Sequence, residues 1–117
     1  MKAVFHVNDL DKWLTTFNSS FNCCRVAGLR GQEVELYIIA SGPAVGIMST
    51  TDEAVLEQRK RIFEAVEKGI HVCFCERAMV VRGYELPEDL QGTAEVIPSA
   101  AIALIDYQAQ GFAYIKS

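Results

Sequence analysis

Glu33-Val34-Glu35-Leu36-Tyr37-Ile38-Ile39-Ala40 decides the fold, because from Leu36 onward the stretch is almost continuously apolar. A strand with one wet face alternates apolar and polar residues. A strand covered by helices on both faces has no reason to, so this one reads as the interior of a parallel sheet. Ser41-Gly42-Pro43 ends it, and the short apolar turn from Ala44 to Met48 follows.

Toward the C-terminus, Thr50 with Glu53 three residues later forms a capping-box pattern that opens a helix. Val55, Leu56, Ile62, Phe63 and Val66 share one face of that helix and the charges take the other, so it packs by one side only. Gly69 terminates it. Ile70 to Phe74 reads as a third strand, and Cys75-Glu76 leads into a short helical stretch closed by Gly83. Pro87 to Leu90 is a single helical turn with Pro at its first position. Ala94 to Ile97 is a short fourth strand, Ser99 caps a helix from Ala100 to Gln110 with Gly111 at its end, and Phe112 to Lys116 is the last strand.

Toward the N-terminus, Lys2 to Val7 is the first strand, and Asp9 or Asp11 is placed to cap the next helix. At about 100° per residue, Trp13, Leu14, Phe17, Phe21 and Cys24 form its apolar stripe. Gly28 and Gly31 supply the stop. Strands alternating with helices require crossover connections, which predicts an α/β domain with a mostly parallel sheet between two helical layers. No repeat, linker or low-complexity segment divides residues 1–117, so one domain is expected; strand order does not follow.

With 117 residues, the chain is long enough to bury a core without disulfide staples. Half of the residues are hydrophobic and 22% are charged, and no apolar run approaches the length of a membrane span. Met1-Lys2-Ala3-Val4-Phe5-His6 enters a strand pattern directly, which points away from secretion and toward the cytoplasm. The net charge of −4 disfavours a nucleic-acid partner. Arg59-Lys60-Arg61 is flanked by Glu57, Glu64 and Glu67 and reads as a solvated helix face. Cys23, Cys24, Cys73 and Cys75 match neither a disulfide framework nor a zinc spacing, so reduced thiols and no metal are expected. The phosphate-loop, dinucleotide, nucleophile-elbow and HExxH signatures are missing, and no cofactor is implied.

In open parallel sheets, ligands bind beyond the carboxyl ends of the strands. Those ends hold His6 and Asn8, Ser41 and Gly42, Cys73 to Glu76, and Ser99. Cys75 leads because it stands where a strand meets a helix N-terminus, a location that favours thiolate. Arg77 and Arg82 add positive potential and Glu76 opposes it. Cys73 lies on the same face with its Cα about 6.6 Å away, poor geometry for a bridge; a small buried hydrophobe is its stronger reading. Cys23 and Cys24 read as core packing. His6 is equally a core side chain or an acid–base group. His71, at the far end of its strand, reads as a boundary residue.

Val4-Phe5-His6-Val7, Ser41-Gly42-Pro43-Ala44-Val45, Gly69-Ile70-His71-Val72-Cys73-Phe74-Cys75 and Gln110-Gly111-Phe112-Ala113-Tyr114-Ile115-Lys116, in that order and spacing, resemble the small stand-alone members of the DsrE/DsrF-like family. The resemblance implies a flavodoxin-like three-layer α/β/α domain with a five-stranded parallel sheet, assembled into a homo-oligomer, a trimer or hexamer. It also implies a persulfide carried on the cysteine at the position of Cys75, exchanged with a sulfur donor or acceptor protein. Glu76-Arg77-Ala78-Met79 departs from the polar Asn or Ser with a Leu that small relatives often show there.

The leading expectation is therefore a persulfide carrier or sulfurtransferase-like subunit, with Cys75 as acceptor, Cys73 assisting and His6 polarising the site. Asn8, Gly42, Arg77 and Ser99 are the expected ligand contacts. The residues leave open whether such a protein turns over as an enzyme. The alternative is a non-catalytic oligomeric module that binds a small anion or a protein partner at the same sheet edge.

Overall fold

Every neighbouring strand pair runs parallel, as the apolar run at Leu36–Ala40 requires. In the computed structural model, which describes residues 1–117, the strands are β1 (Lys2–Val7), β2 (Glu35–Ala40), β3 (His71–Cys75), β4 (Glu95–Ile97) and β5 (Ala113–Lys116). The helices are α1 (Trp13–Leu29), α2 (Glu53–Glu67), α3 (Glu76–Arg82) and α4 (Ala100–Ala109). Short 3₁₀ segments occupy Leu10–Lys12, Gly42–Ser49 and Glu88–Leu90. No helix is long and apolar enough to cross a membrane.

The sheet order is β4-β3-β2-β1-β5. From β1 to β4 the chain steps in one direction, and right-handed crossovers then put α1, α2 and α3 on one face. The step from β4 back to β5 runs the other way and puts α4 on the opposite face. Aromatic contacts fix the two sides: the Trp13 ring lies 6.1 Å from that of Phe74, whereas the Tyr107 ring of α4 lies 4.4 Å from that of Tyr37. Since strand side chains alternate, Phe5, Ile38 and Phe74 face α1 to α3, and His6, Ile39, Cys73 and Cys75 face the α4 side. The result is the expected three-layer α/β/α domain.

Several local expectations give way. Neither Asp9 nor Asp11 caps α1; Lys12 holds that position without a side-chain bond. A 3₁₀ turn comes first and carries the chain around the strand end. The stripe of α1 also shifts: Leu14 is exposed, while Thr16 and Ser20 are buried. Their hydroxyls lie 2.9 Å from the Lys12 carbonyl and 3.1 Å from the Phe17 carbonyl, which satisfies them locally and lets a short polar residue sit in the core.

At α2 the cap is Asp52, whose carboxylate accepts from the Ala54 and Val55 amides. Thr50 Oγ1 accepts from the Asp52 amide one step earlier, so the capping box at Thr50 and Glu53 does not form. Ile62 and Ala65 are the buried residues of α2, and Phe63 is exposed at its flank. Pro87 precedes its 3₁₀ turn as the cap residue. Ser99 caps α4, accepting from the Ile102 amide, as expected.

Candidate functional site at the carboxyl edge

Val7, Ala40, Phe74 and Val96 stand in register across four strands. One residue further, the same register brings Asn8, Ser41, Cys75 and Ile97 to the carboxyl edge. Cys75 pairs with Ile97 directly. The Ser41 amide still bonds the Val7 carbonyl at 3.0 Å, and both Ser41 and Cys75 keep extended backbone. Neighbouring strands are about 4.8 Å apart, and Ser41 and Cys75 each come one residue after the paired Ala40 and Phe74.

Cys75 also marks the topological switch. After β3 the chain leaves to one face through α3, and after β4 it leaves to the other through α4, which makes the carboxyl ends of β3 and β4 the switch point. Cys75 is the residue that caps α3, and 7% of its surface remains exposed. Cys73 keeps only 1%. Burial pushes the Cys73 thiol up to about 12, with Glu95 adding to the effect. Cys73 is thus held in its thiol form and packs as a core side chain. Cys23 and Cys24 are half-buried on α1, where burial and then Cys23 raise the Cys24 thiol.

His6, Asn8 and Gly42 come together with Ser41 and Tyr114. His6 Nε2 lies 2.8 Å from Ser41 Oγ, and His6 Nδ1 lies 2.7 Å from Tyr114 Oη. Ser41 Oγ donates its one proton to Asn8 Oδ1 at 2.9 Å. Ser41 must then accept from His6 Nε2–H, which leaves Nδ1 of the neutral ring to accept from the Tyr114 hydroxyl. Burial, and then the charge of Lys116, hold the His6 pKa below its ordinary value, in keeping with the neutral ring. Gly42 has φ +52°, and a Cβ there would collide with Asn8 Oδ1. Glycine is what lets the turn close over this cluster.

His6 and Cys73 are separated by Ile39 of the intervening strand, so the histidine does not touch the β3 cysteines. Arg77 is exposed on the first turn of α3 and has no ion-pair partner. Ser99 is committed to its cap and lines a groove of about 390 Å³ with Ile97, Pro98, Ile102, Asp106 and Tyr107. His71, at the opposite end of β3, is exposed, 2.9 Å from Glu95 and stacked on Tyr37. Tyr114 is the site residue that sequence reasoning missed. It lies on β5, and only the pairing of β5 with β1 brings it to His6.

The model of the DsrE/DsrF-like family matches residues 4–117. The chain belongs to the DsrE/DsrF-like family. No curated protein matches it. Among solved structures, it is similar to a protein of unknown function, MTH1491 from Methanobacterium thermoautotrophicum, at 19% identity and a TM-score of 0.75, covering 98% of this chain and 97% of that one. It is similar to BT1422, a conserved protein of unknown function from Bacteroides thetaiotaomicron, at 20% identity and TM-score 0.64, covering 97% and 94%. It is also similar to the ychN protein from E. coli at 10% identity and TM-score 0.69, covering 100% and 99%. At these identities the likenesses establish a common fold for the DsrE/DsrF-like chain.

Proposed function

We propose that this protein is a persulfide carrier or sulfurtransferase-like subunit in which Cys75 accepts sulfane sulfur in the cytoplasm. The observation that carries the reading is the position of Cys75 at the switch point of the sheet, where it ends β3, caps α3 and keeps 7% of its surface exposed. In the step itself, the Cys75 sulfur attacks the outer sulfur of a donor persulfide R–S–SH. One S–S bond forms and one breaks, R–S⁻ leaves and takes the Cys75 proton, and Cys75–S–SH and R–SH result. No outside oxidant or reductant is needed. Membership of the family supports this chemistry, and the deeper burial of Cys73 favours Cys75 as the sulfur that carries it.

The carrier works as a homo-oligomer, a trimer or hexamer, that exchanges sulfur with a donor or acceptor protein. Val80 and Val81 on α3 and Ile102 and Ile105 on α4 are exposed and supply apolar surface for such contacts. Incubation with sodium polysulfide followed by peptide mass spectrometry tests the reading. The Cys75 peptide is expected to gain one sulfur atom, and the Cys75→Ser protein to gain none at that peptide. An unmodified Cys75 peptide in the wild-type protein removes the proposal.

One observation favours a second reading, a module that binds a small ligand without chemistry: the groove along α4 is lined by Ser99 and Asp106 and not by Cys75. Under that reading, Cys75 reacts with iodoacetamide no faster than free cysteine does.

A further inference from the structure

The chain of hydrogen bonds from Tyr114 through His6 to Ser41 ends on one mobile proton. Tyr114 donates to His6 Nδ1, His6 donates from Nε2 to Ser41, and the Ser41 hydroxyl donates to Asn8 Oδ1. The first two bonds lie between half-buried or strand-held groups, whereas Asn8 is exposed at the start of a turn. Ser41 can therefore turn its proton away from Asn8 and still keep the bond from His6. A hydroxyl that accepts a bond becomes a better donor, because hydrogen bonds in series polarise one another.

The register of β2 and β3 is paired through Ala40 and Phe74, and continuing it by one residue sets Ser41 opposite Cys75. The bare Cys75 thiol makes no hydrogen bond to Ser41, as side chains on strands about 4.8 Å apart need not touch. A persulfide differs, because its outer sulfur projects a further S–S bond of about 2.05 Å. Directed toward β2, that extension carries an anionic sulfur closer to the Ser41 hydroxyl.

We infer that Ser41 is the hydrogen-bond donor for the outer sulfur of a Cys75 persulfide, with His6 and Tyr114 as positioning residues behind it and Asn8 as the resting acceptor. This inference rests on Cys75 being the sulfur acceptor. It makes the site specific for the loaded state: the donor chain reaches Cys75–S–S⁻ and does not reach Cys75–S⁻. It also assigns the polar cluster and the cysteine, on different strands, to one site.

The test reads the pH dependence of iodoacetamide capture of the Cys75 persulfide, formed with sodium polysulfide and followed by mass spectrometry of the Cys75 peptide. Removing the donor in Ser41→Ala is expected to shift the midpoint upward by about one pH unit, a tenfold loss in anion stabilisation. Ser41→Thr keeps the hydroxyl and restores the wild-type midpoint. Tyr114→Phe shifts it in the same direction as Ser41→Ala by a smaller amount. Asn8→Ala, which frees the proton from its resting acceptor, shifts it downward, an effect of opposite sign that a merely structural role does not produce. Circular dichroism verifies that each variant is folded, and the exposed Asn8 variant remains informative if Ser41→Ala is not. If Cys75 loads normally but the Ser41→Ala and Asn8→Ala profiles superimpose on wild type, the inference is wrong and the carrier reading stands. If the wild-type Cys75 takes no sulfur, both fall.

Discussion

Replacing Gly42 by alanine tests the geometry of the carboxyl edge with the smallest possible change. Gly42 has φ +52° and its missing Cβ would meet Asn8 Oδ1. Holding an L-residue in the left-handed region costs about 1–2 kcal/mol. The added methyl also drives the Asn8 side chain away, and with it goes the bond from Ser41, worth about 0.5–1.5 kcal/mol. The sum is a destabilisation of about 1.5–3.5 kcal/mol. Gly28 provides the internal control: it lies in α1, and a Cβ there meets nothing within 4 Å. Gly28→Ala should stabilise by about 0.4–1 kcal/mol, because alanine restricts the unfolded chain and favours the helix. Urea denaturation followed by circular dichroism measures both, as a lowered midpoint for Gly42→Ala and a raised one for Gly28→Ala at unchanged slope. The collision and the backbone cost separate in the Asn8→Ala/Gly42→Ala double variant, where only the backbone part remains. A Gly42→Ala midpoint equal to wild type would refute the reasoning, since neither the strained φ nor the contact with Asn8 would then be real.

Three further outcomes follow from the same structure. The neutral His6 binds its proton less readily in the folded chain than in the unfolded one. Its contribution is thus intact above the ordinary value near pH 6.5, and stability falls as the pH drops below it, by at most about 1.4 kcal/mol per pH unit; His6→Gln should flatten that limb of a urea-midpoint profile. The Cys73 thiol and the Tyr107 hydroxyl are both raised by burial, so the folded chain holds these protons when the unfolded one releases them, and stability declines again above about pH 8.5. Alkylation of the native protein should leave Cys73 unlabelled, with labelling appearing only in denaturant. Asp52→Ala should cost about 1 kcal/mol in urea denaturation by removing the acceptor for two amides at the start of α2, while Glu53→Ala, outside any capping box, should cost a few tenths.

Much of the fold is legible in local sequence because its causes are local. Leu36-Tyr37-Ile38-Ile39-Ala40 cannot leave a face wet, and glycines at the helix ends take the left-handed conformation needed to close them, as at Gly69 and Gly83. The caps were less legible. Thr50, Asp52 and Asp9 all have suitable side chains, and which one captures the free amides depends on how the preceding turn approaches the helix. The α1 stripe misled for a similar reason: Thr16 and Ser20 are buried because they bond carbonyls of their own helix, an option that hydrophobicity does not register.

For the candidate site, the sequence by itself determined which residues stand at strand ends, and so named His6, Asn8, Gly42, Cys75 and Ser99. Strand order decided the rest. Setting β5 beside β1 gave His6 its Tyr114 partner, setting β2 between β1 and β3 brought the ends of β2 and β3 together at Ala40 and Phe74, and turning α4 to the far face put the switch point at Cys75. Alternation along a strand is a short-range property that any chain segment carries, whereas the neighbour of a strand is chosen by the burial of all five together.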